Sequence, residues 1–304
     1  MKWMMFIKHL QTLPLADAGR AIRDLGFEGV DLTVRPNGSV APENVRTALP
    51  EAIRTLHDWG LAVPLVTTAI TSASDAHARD ILESAAAAGI KEIKLGYVPV
   101  KEFGTFQSTL ESFNRELDGL EKLAKSTGVR VNLHLHSGAY LTSLAAAVWY
   151  LIKDRDPAAV GAYVDPGHMF VEGGRDGWRL GLDLLHSRIA LVAIKDLVFE
   201  QVRDERLDKP RWVTRIVPLD RGAVPWPEVF QLLKKSNFDG WISVHSEYQG
   251  GHSWRDLKVQ EVIDQTRLDL AYLRKALARE RIRVPEPPPA GEGGGKVPQA
   301  PESV

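Results

Sequence analysis

Residues 15–34 read LADAGRAIRDLGFEGVDLTV. An amphipathic run closes on Gly26 and leads into a short, β-branched run over 29–34. Glycine suits the left-handed position that ends a helix, so the stretch predicts a helix, a sharp stop and a strand. The same succession recurs along the chain. ENVRTALPEAIRTLHDWG (43–60), DAHARDILESAAAAG (75–89) and NRELDGLEKLAKSTG (114–128) each end in Gly just before another short apolar run. Candidate strands fall at 3–8, 29–34, 62–68, 92–97, 130–136, 161–165, 190–195 and 241–245. A repeated strand–helix–Gly–strand order implies parallel strands with right-handed crossovers. Eight units predict a closed (β/α)8 TIM barrel over residues 1–283. An open, doubly wound sheet is the alternative, but its Gly-rich dinucleotide turn is missing after the first run, which continues KHLQTLPLAD.

Two segments break the repeat. Residues 197–224 form a long, charged connection after the seventh strand, a common place for a lid. Residues 284–304, rich in Pro and Gly, are expected to be a disordered tail. Hydrophobic residues make up 44% of the 304 and charged residues 25%, as in an ordinary globular protein. A net charge of −1 gives no field that would draw in nucleic acid or an anionic membrane. Cysteine is absent, which excludes disulfides, thiolate nucleophiles and thiolate-bound zinc. No apolar stretch approaches the roughly 20 residues that span a bilayer, and MKWMMFIKHL lacks a signal-peptide core. These features predict a cytoplasmic protein without membrane partners; a homo-oligomer is compatible with them.

In a barrel, the residues that meet a substrate come from the strand C-termini and the loops beyond. Five of nine His fall there: His9, His134, His136, His168 and His245. In VNLHLHSG, His134 and His136 are two apart and share a face. Two inward imidazoles need an acid, a metal or a substrate, or else form a hydrogen-bonded core pair. In AYVDPGHMF, Asp165 ends a strand and Pro166-Gly167 forces a turn that returns His168 over the mouth. Lys195 shares a face with Ala193 and is either an electrophile, a general acid or half of an ion pair. His245 and Glu247 share a face on the eighth strand. Arg35, in line with Asp31 and Thr33, can bind a hydroxyl, a carboxylate or a phosphate. Thr67, Thr68 and Lys94 are lining candidates, and the basic residues of 197–224 lie where many barrels bind phosphate.

The segments GFEGVDLTVR, HLHSG, VDPGHMFVEGG, AIKDL and SVHSEY together resemble the xylose isomerase-like TIM barrel superfamily over residues 1–280. The resemblance implies a sugar or sugar phosphate isomerase or epimerase that moves a proton next to a carbonyl, aided by one divalent metal. The metal set of such enzymes is a Glu, an Asp, a His or Gln and a Glu on strands five to eight. Here Asp165 matches. His134, Ala193 and His245 (or Glu247) stand at the other positions. The expected ligands are therefore His134, Asp165, His245 and Glu247, a nitrogen and oxygen set suited to Zn²⁺ or Mn²⁺. Ala193 leaves one quadrant open, where Lys195 can supply a fixed positive charge. Glu247, His168 and Lys195 are the expected catalytic groups. His9, Arg35 and His136 are the expected substrate contacts. The alternatives are a lyase or dehydratase of the superfamily, a Schiff-base lyase using Lys195 or Lys94, and a sugar-binding barrel without catalysis. A DNA-repair nuclease of the superfamily would need many more ligands and a basic face.

Overall fold

The computed structural model describes residues 1–289. Eight parallel strands close a barrel: β1 (Lys2–Phe6), β2 (Gly29–Val34), β3 (Ala62–Thr68), β4 (Glu92–Lys94), β5 (Arg130–His134), β6 (Val160–Val164), β7 (Ile189–Ile194) and β10 (Trp241–Val244). Closure is made by β1 against β10, with Trp3 opposite Ile242 and Met4 opposite Ser243. Eight helices ring the barrel: α1 (Leu15–Asp24), α2 (Val45–His57), α3 (Ala78–Ala87), α4 (Phe106–Thr127), α5 (Ala145–Ile152), α6 (Pro166–Leu185), α7 (Trp226–Lys235) and α8 (Val259–Leu277). Gly26, Gly60, Gly89 and Gly128 all have positive φ just past helix ends, as the sequence predicts.

The expected strands are present, but most stop one to three residues short at the mouth, so His136, Lys195 and His245 lie just beyond hydrogen-bonded strand. Four further readings are corrected. The connection after β7 is an antiparallel hairpin, β8 (Asp196–Asp204) paired with β9 (Lys209–Val217), and no loose loop. Its basic residues face acidic neighbours rather than converging on an anion: Arg215 meets Glu200 at 2.8 Å and Arg211 meets Asp204 at 3.7 Å. Pro166-Gly167 begins α6 instead of making a reverse turn. Finally, contacts to the barrel continue past residue 283, since Val284 is buried and the Pro285 carbonyl accepts from Arg274 Nε. Residues 290–304 of the expected tail lie outside the described residues.

Two apolar clusters follow from side-chain alternation. The larger fills the space between sheet and helices. The smaller, Met4, Leu65, Tyr163, Ala190, Leu191 and Ala193, includes the side chains that plug the barrel itself. One inward step further along several strands the residues are polar. Thr67 follows Leu65, Asp165 follows Tyr163, Lys195 follows Ala193 and His245 follows Ser243, and all are buried. The apolar plug thus forms a floor and the polar layer above it forms the site.

Candidate active site

A cavity of about 80 Å³ opens at the carboxyl ends of the strands. Lys8, Arg35, Lys94, His134, His136, Lys195, His245 and Glu247 line it, with Phe6, Thr67, Tyr97 and Tyr163. A second cavity adjoins it below the β8–β9 hairpin and adds Ser137, His168, Thr214, Ile216 and His252.

Lys195 is the hub of the site. Its Nζ lies 3.1 Å from Glu247 Oε2 and 3.3 Å from Asp165 Oδ2, and only 2% of its side chain is exposed. Lys8 Nζ approaches the other Glu247 oxygen at 3.5 Å. Burial opposes the charge on Lys195, but Asp165 and Glu247 outweigh it and raise its pKa above the ordinary value. Burial also works against both carboxylates, and Lys195 overcomes it, holding Asp165 below its usual range and Glu247 well below. Mutual charge therefore keeps all three ionised.

Histidines surround this hub. His134 Nε2 is 3.4 Å and His168 Nε2 is 3.8 Å from Asp165 Oδ2. Among the described residues neither Nε2 has a hydrogen-bond partner. Their other ring nitrogens are engaged, His134 Nδ1 with the Tyr97 hydroxyl and His168 Nδ1 with the Ser137 hydroxyl, both at 2.8 Å. Burial raises Tyr97 well above its ordinary pKa, so its hydroxyl keeps its proton. Each Nε2 faces the Asp165 carboxylate, which can only accept, and this favours the tautomer with its proton on Nε2. Burial, with the nearby lysines, holds His134, His168 and His245 well below their ordinary pKa, so all three are neutral.

Two cations differ from Lys195. Among the described residues, neither Lys94 nor Arg35 has a carboxylate within 4.0 Å. Lys94 Nζ sits 3.4 Å from the centre of the Tyr97 ring. Burial, then the charge of Arg35, lowers its pKa to about 7, the range in which an amine both takes and gives protons.

Residues 20–276 match the model of the xylose isomerase-like TIM barrel family. The chain belongs to that family. Inosose dehydratase of Erwinia tasmaniensis is 31% identical over 146 residues, 46% of this chain and 47% of that enzyme. The chain thus spans about half the length of the curated relatives it matches. Among solved structures, a D-psicose 3-epimerase crystallised in the presence of D-fructose superposes with a TM-score of 0.65 at 16% identity, over 91% of this chain and 99% of that one. A xylose isomerase-like TIM barrel protein of Mycobacterium smegmatis in complex with magnesium superposes with a TM-score of 0.58 at 18% identity, over 88% and 92%. At these identities the superpositions speak for the fold.

A divalent ion does not fit the expected ligand set of this family member. His134 and Asp165 meet, but Glu247 joins Asp165 only through the Lys195 ammonium. His245 Nε2 is turned to the Tyr163 hydroxyl at 2.9 Å and to Asp31 at 3.8 Å. Among the described residues, no group of three His, Asp or Glu is placed to hold a metal. The physical reason is the reach of Lys195, which carries its charge into the gap between β6 and β10. Of the expected substrate contacts, Arg35 and His136 line the cavity and His9 does not; its Nδ1 is bonded to Gln249 at 2.7 Å.

Sequence reasoning passed over Lys8, Tyr97, Tyr163 and the depth of Asp31, which is fully buried and accepts from Thr67 at 2.6 Å and Ser243 at 3.0 Å. Period-two spacing carries a signal for Tyr163, two residues before Asp165. Lys8 and Tyr97 close their predicted strands and could have been found there.

Proposed function

We propose that this chain is an enzyme acting on a small keto sugar or keto polyol, moving a proton on the carbon next to the carbonyl. The observation that carries the reading is the Lys195 ammonium, fixed between two carboxylates at 3.1 and 3.3 Å and flanked by the Nε2 atoms of His134 and His168, unpartnered among the described residues. A substrate oxygen lodged there meets a full positive charge and two N–H groups in a water-poor site. Such an arrangement favours the developing enediolate over the neutral ketone. Arg35, which has no carboxylate within 4.0 Å among the described residues, suits a substrate that carries or develops negative charge.

Removing the proton needs a base that is free at neutral pH. Glu247 is ionised but spent on Lys195 and Lys8, so it serves better as the anchor of the ammonium. Lys94, with a pKa of about 7, is matched to the task from the opposite wall. His168 and His134, neutral, are placed to hold or relay a proton beside the oxygen. From the common enediolate, return of the proton to the other face gives an epimer, and loss of a neighbouring hydroxyl gives a dehydrated product. Inosose dehydratases among the relatives and epimerases among the structural neighbours support both outcomes equally.

The test is proton exchange. Wild-type protein in D₂O, offered inosose and a panel of 3-ketohexoses, should place deuterium next to the carbonyl of at least one, read by NMR. Lys94→Met and Lys195→Met should each slow it by about 100-fold or more. No exchange into any keto sugar or keto polyol would sink the reading and leave a binding barrel.

A further inference from the structure

We propose that the Lys195 ammonium takes the place of a divalent cation at the mouth of this barrel, so that the chain supplies its own positive charge and works without a metal. For its catalytic half the inference rests on the proposed proton-transfer reading. Its electrostatic half stands alone.

Three observations converge. First, Nζ occupies the point where β6 and β10 present their carboxylates, 3.3 Å from Asp165 Oδ2 and 3.1 Å from Glu247 Oε2, buried to 2% exposure. Second, the charges are already matched. Two carboxylates face Lys195 and, at the outer Glu247 oxygen, Lys8 at 3.5 Å. A dication entering the cluster would meet the fixed ammonium within a few ångströms with no further carboxylate among the lining residues to offset it. Third, β7 has no donor at the inward position before Lys195, because Ala193 stands there. The two imidazole nitrogens nearest the hub, Nε2 of His134 and of His168, face the accept-only Asp165 carboxylate, which favours N–H over a lone pair there. An N–H can bind an oxyanion but cannot ligate a cation. A neighbour of the same fold was solved with magnesium, so barrels of this architecture do hold a divalent ion at times. This chain has built a cation from its own side chain.

The experiment uses Mn²⁺ alone as the probe, with no substrate. Full-length protein, treated with EDTA and dialysed, is titrated with Mn²⁺ and the free ion is followed by electron paramagnetic resonance. The wild type should show no saturable site tighter than about 1 mM. Lys195→Met keeps the stem and removes the charge, exposing Asp165 and Glu247 to the ion. It should bind Mn²⁺ at least about tenfold more tightly. Lys195→Arg keeps the charge and should bind no more than the wild type. One equivalent of Mn²⁺ held by the wild type in the micromolar range overturns the proposal, as does a folded Lys195→Met no better than the wild type. If Lys195→Met fails to fold, the wild-type titration decides alone. In parallel, D₂O exchange by the wild type should be unchanged by EDTA. Absence of exchange under all conditions counts against the function and leaves the Mn²⁺ result standing.

Discussion

His136 illustrates how a single side chain answers to its surroundings at this mouth. Its ring lies 3.8 Å, centre to centre, from that of His168 and lines the cavity beside Lys195. Burial, then the Lys195 charge, lowers its pKa from 6.5 to about 4. Between those values the unfolded chain binds a proton that the folded chain refuses. The stability associated with His136 is therefore complete above pH 6.5 and declines as pH falls toward 4. His136→Gln lacks this titration. Urea unfolding at pH 7 and pH 5 should show the wild type losing on the order of 1 kcal/mol relative to the variant on the way down. An unchanged difference between the two would mean that the ring is charged in the folded state.

At the scale of an element, α6 and the hub share Asp165. Its Oδ1 accepts from the backbone N–H of His168 at 3.1 Å and caps the helix, with Pro166 at the first helical position. Its Oδ2 holds Lys195. The two oxygens therefore do different work, one local and one across strands. Asp165→Asn keeps an acceptor for the cap and loses the charge, leaving a buried ammonium with one carboxylate; it should cost ~3 kcal/mol. Asp165→Ala loses the cap as well and should cost about 1 kcal/mol more. Denaturant titrations of the three proteins measure both steps. If Asn and Ala cost the same, the cap contributes nothing.

For the whole molecule, the chain just beyond the last helix packs back against β1, α8 and the end of α1. Trp3 Nε1 donates to the Arg283 carbonyl at 2.9 Å, Arg274 Nε donates to the Pro285 carbonyl at 2.6 Å, and Val284 is buried. Gly26, with φ +97°, lies so close to the Glu286 backbone that any side chain there would overlap its carbonyl. A chain truncated after Pro289 serves as the reference. Truncation after Arg283 should remove about 2 kcal/mol through the loss of Val284 and its neighbours, a drop of several degrees in a scan. Equal melting of the two truncated chains would show that the segment rests on the barrel without stabilising it.

The sequence by itself determined the barrel and the faces of its strands. Helix spacing, Gly caps and period-two alternation are local properties of the chain, and GVDLTV or AYVD reads the same wherever it folds. That is why Asp165, Lys195, His245 and Glu247 could be placed at the mouth from their positions alone. What tertiary structure decided is who faces whom. The gap between β6, β7 and β10 depends on barrel closure and stagger, and only there does the long Lys195 stem put its charge between Asp165 and Glu247. The same holds for His245, which alternation aims inward and which Tyr163 and Asp31 then draw aside. The docking of the segment around Val284 against β1 and α8 was equally illegible, because a Pro-rich run orders only when a surface far away in sequence offers it a partner. Pairings across a barrel join residues dozens to hundreds of positions apart, and no local pattern records their distance.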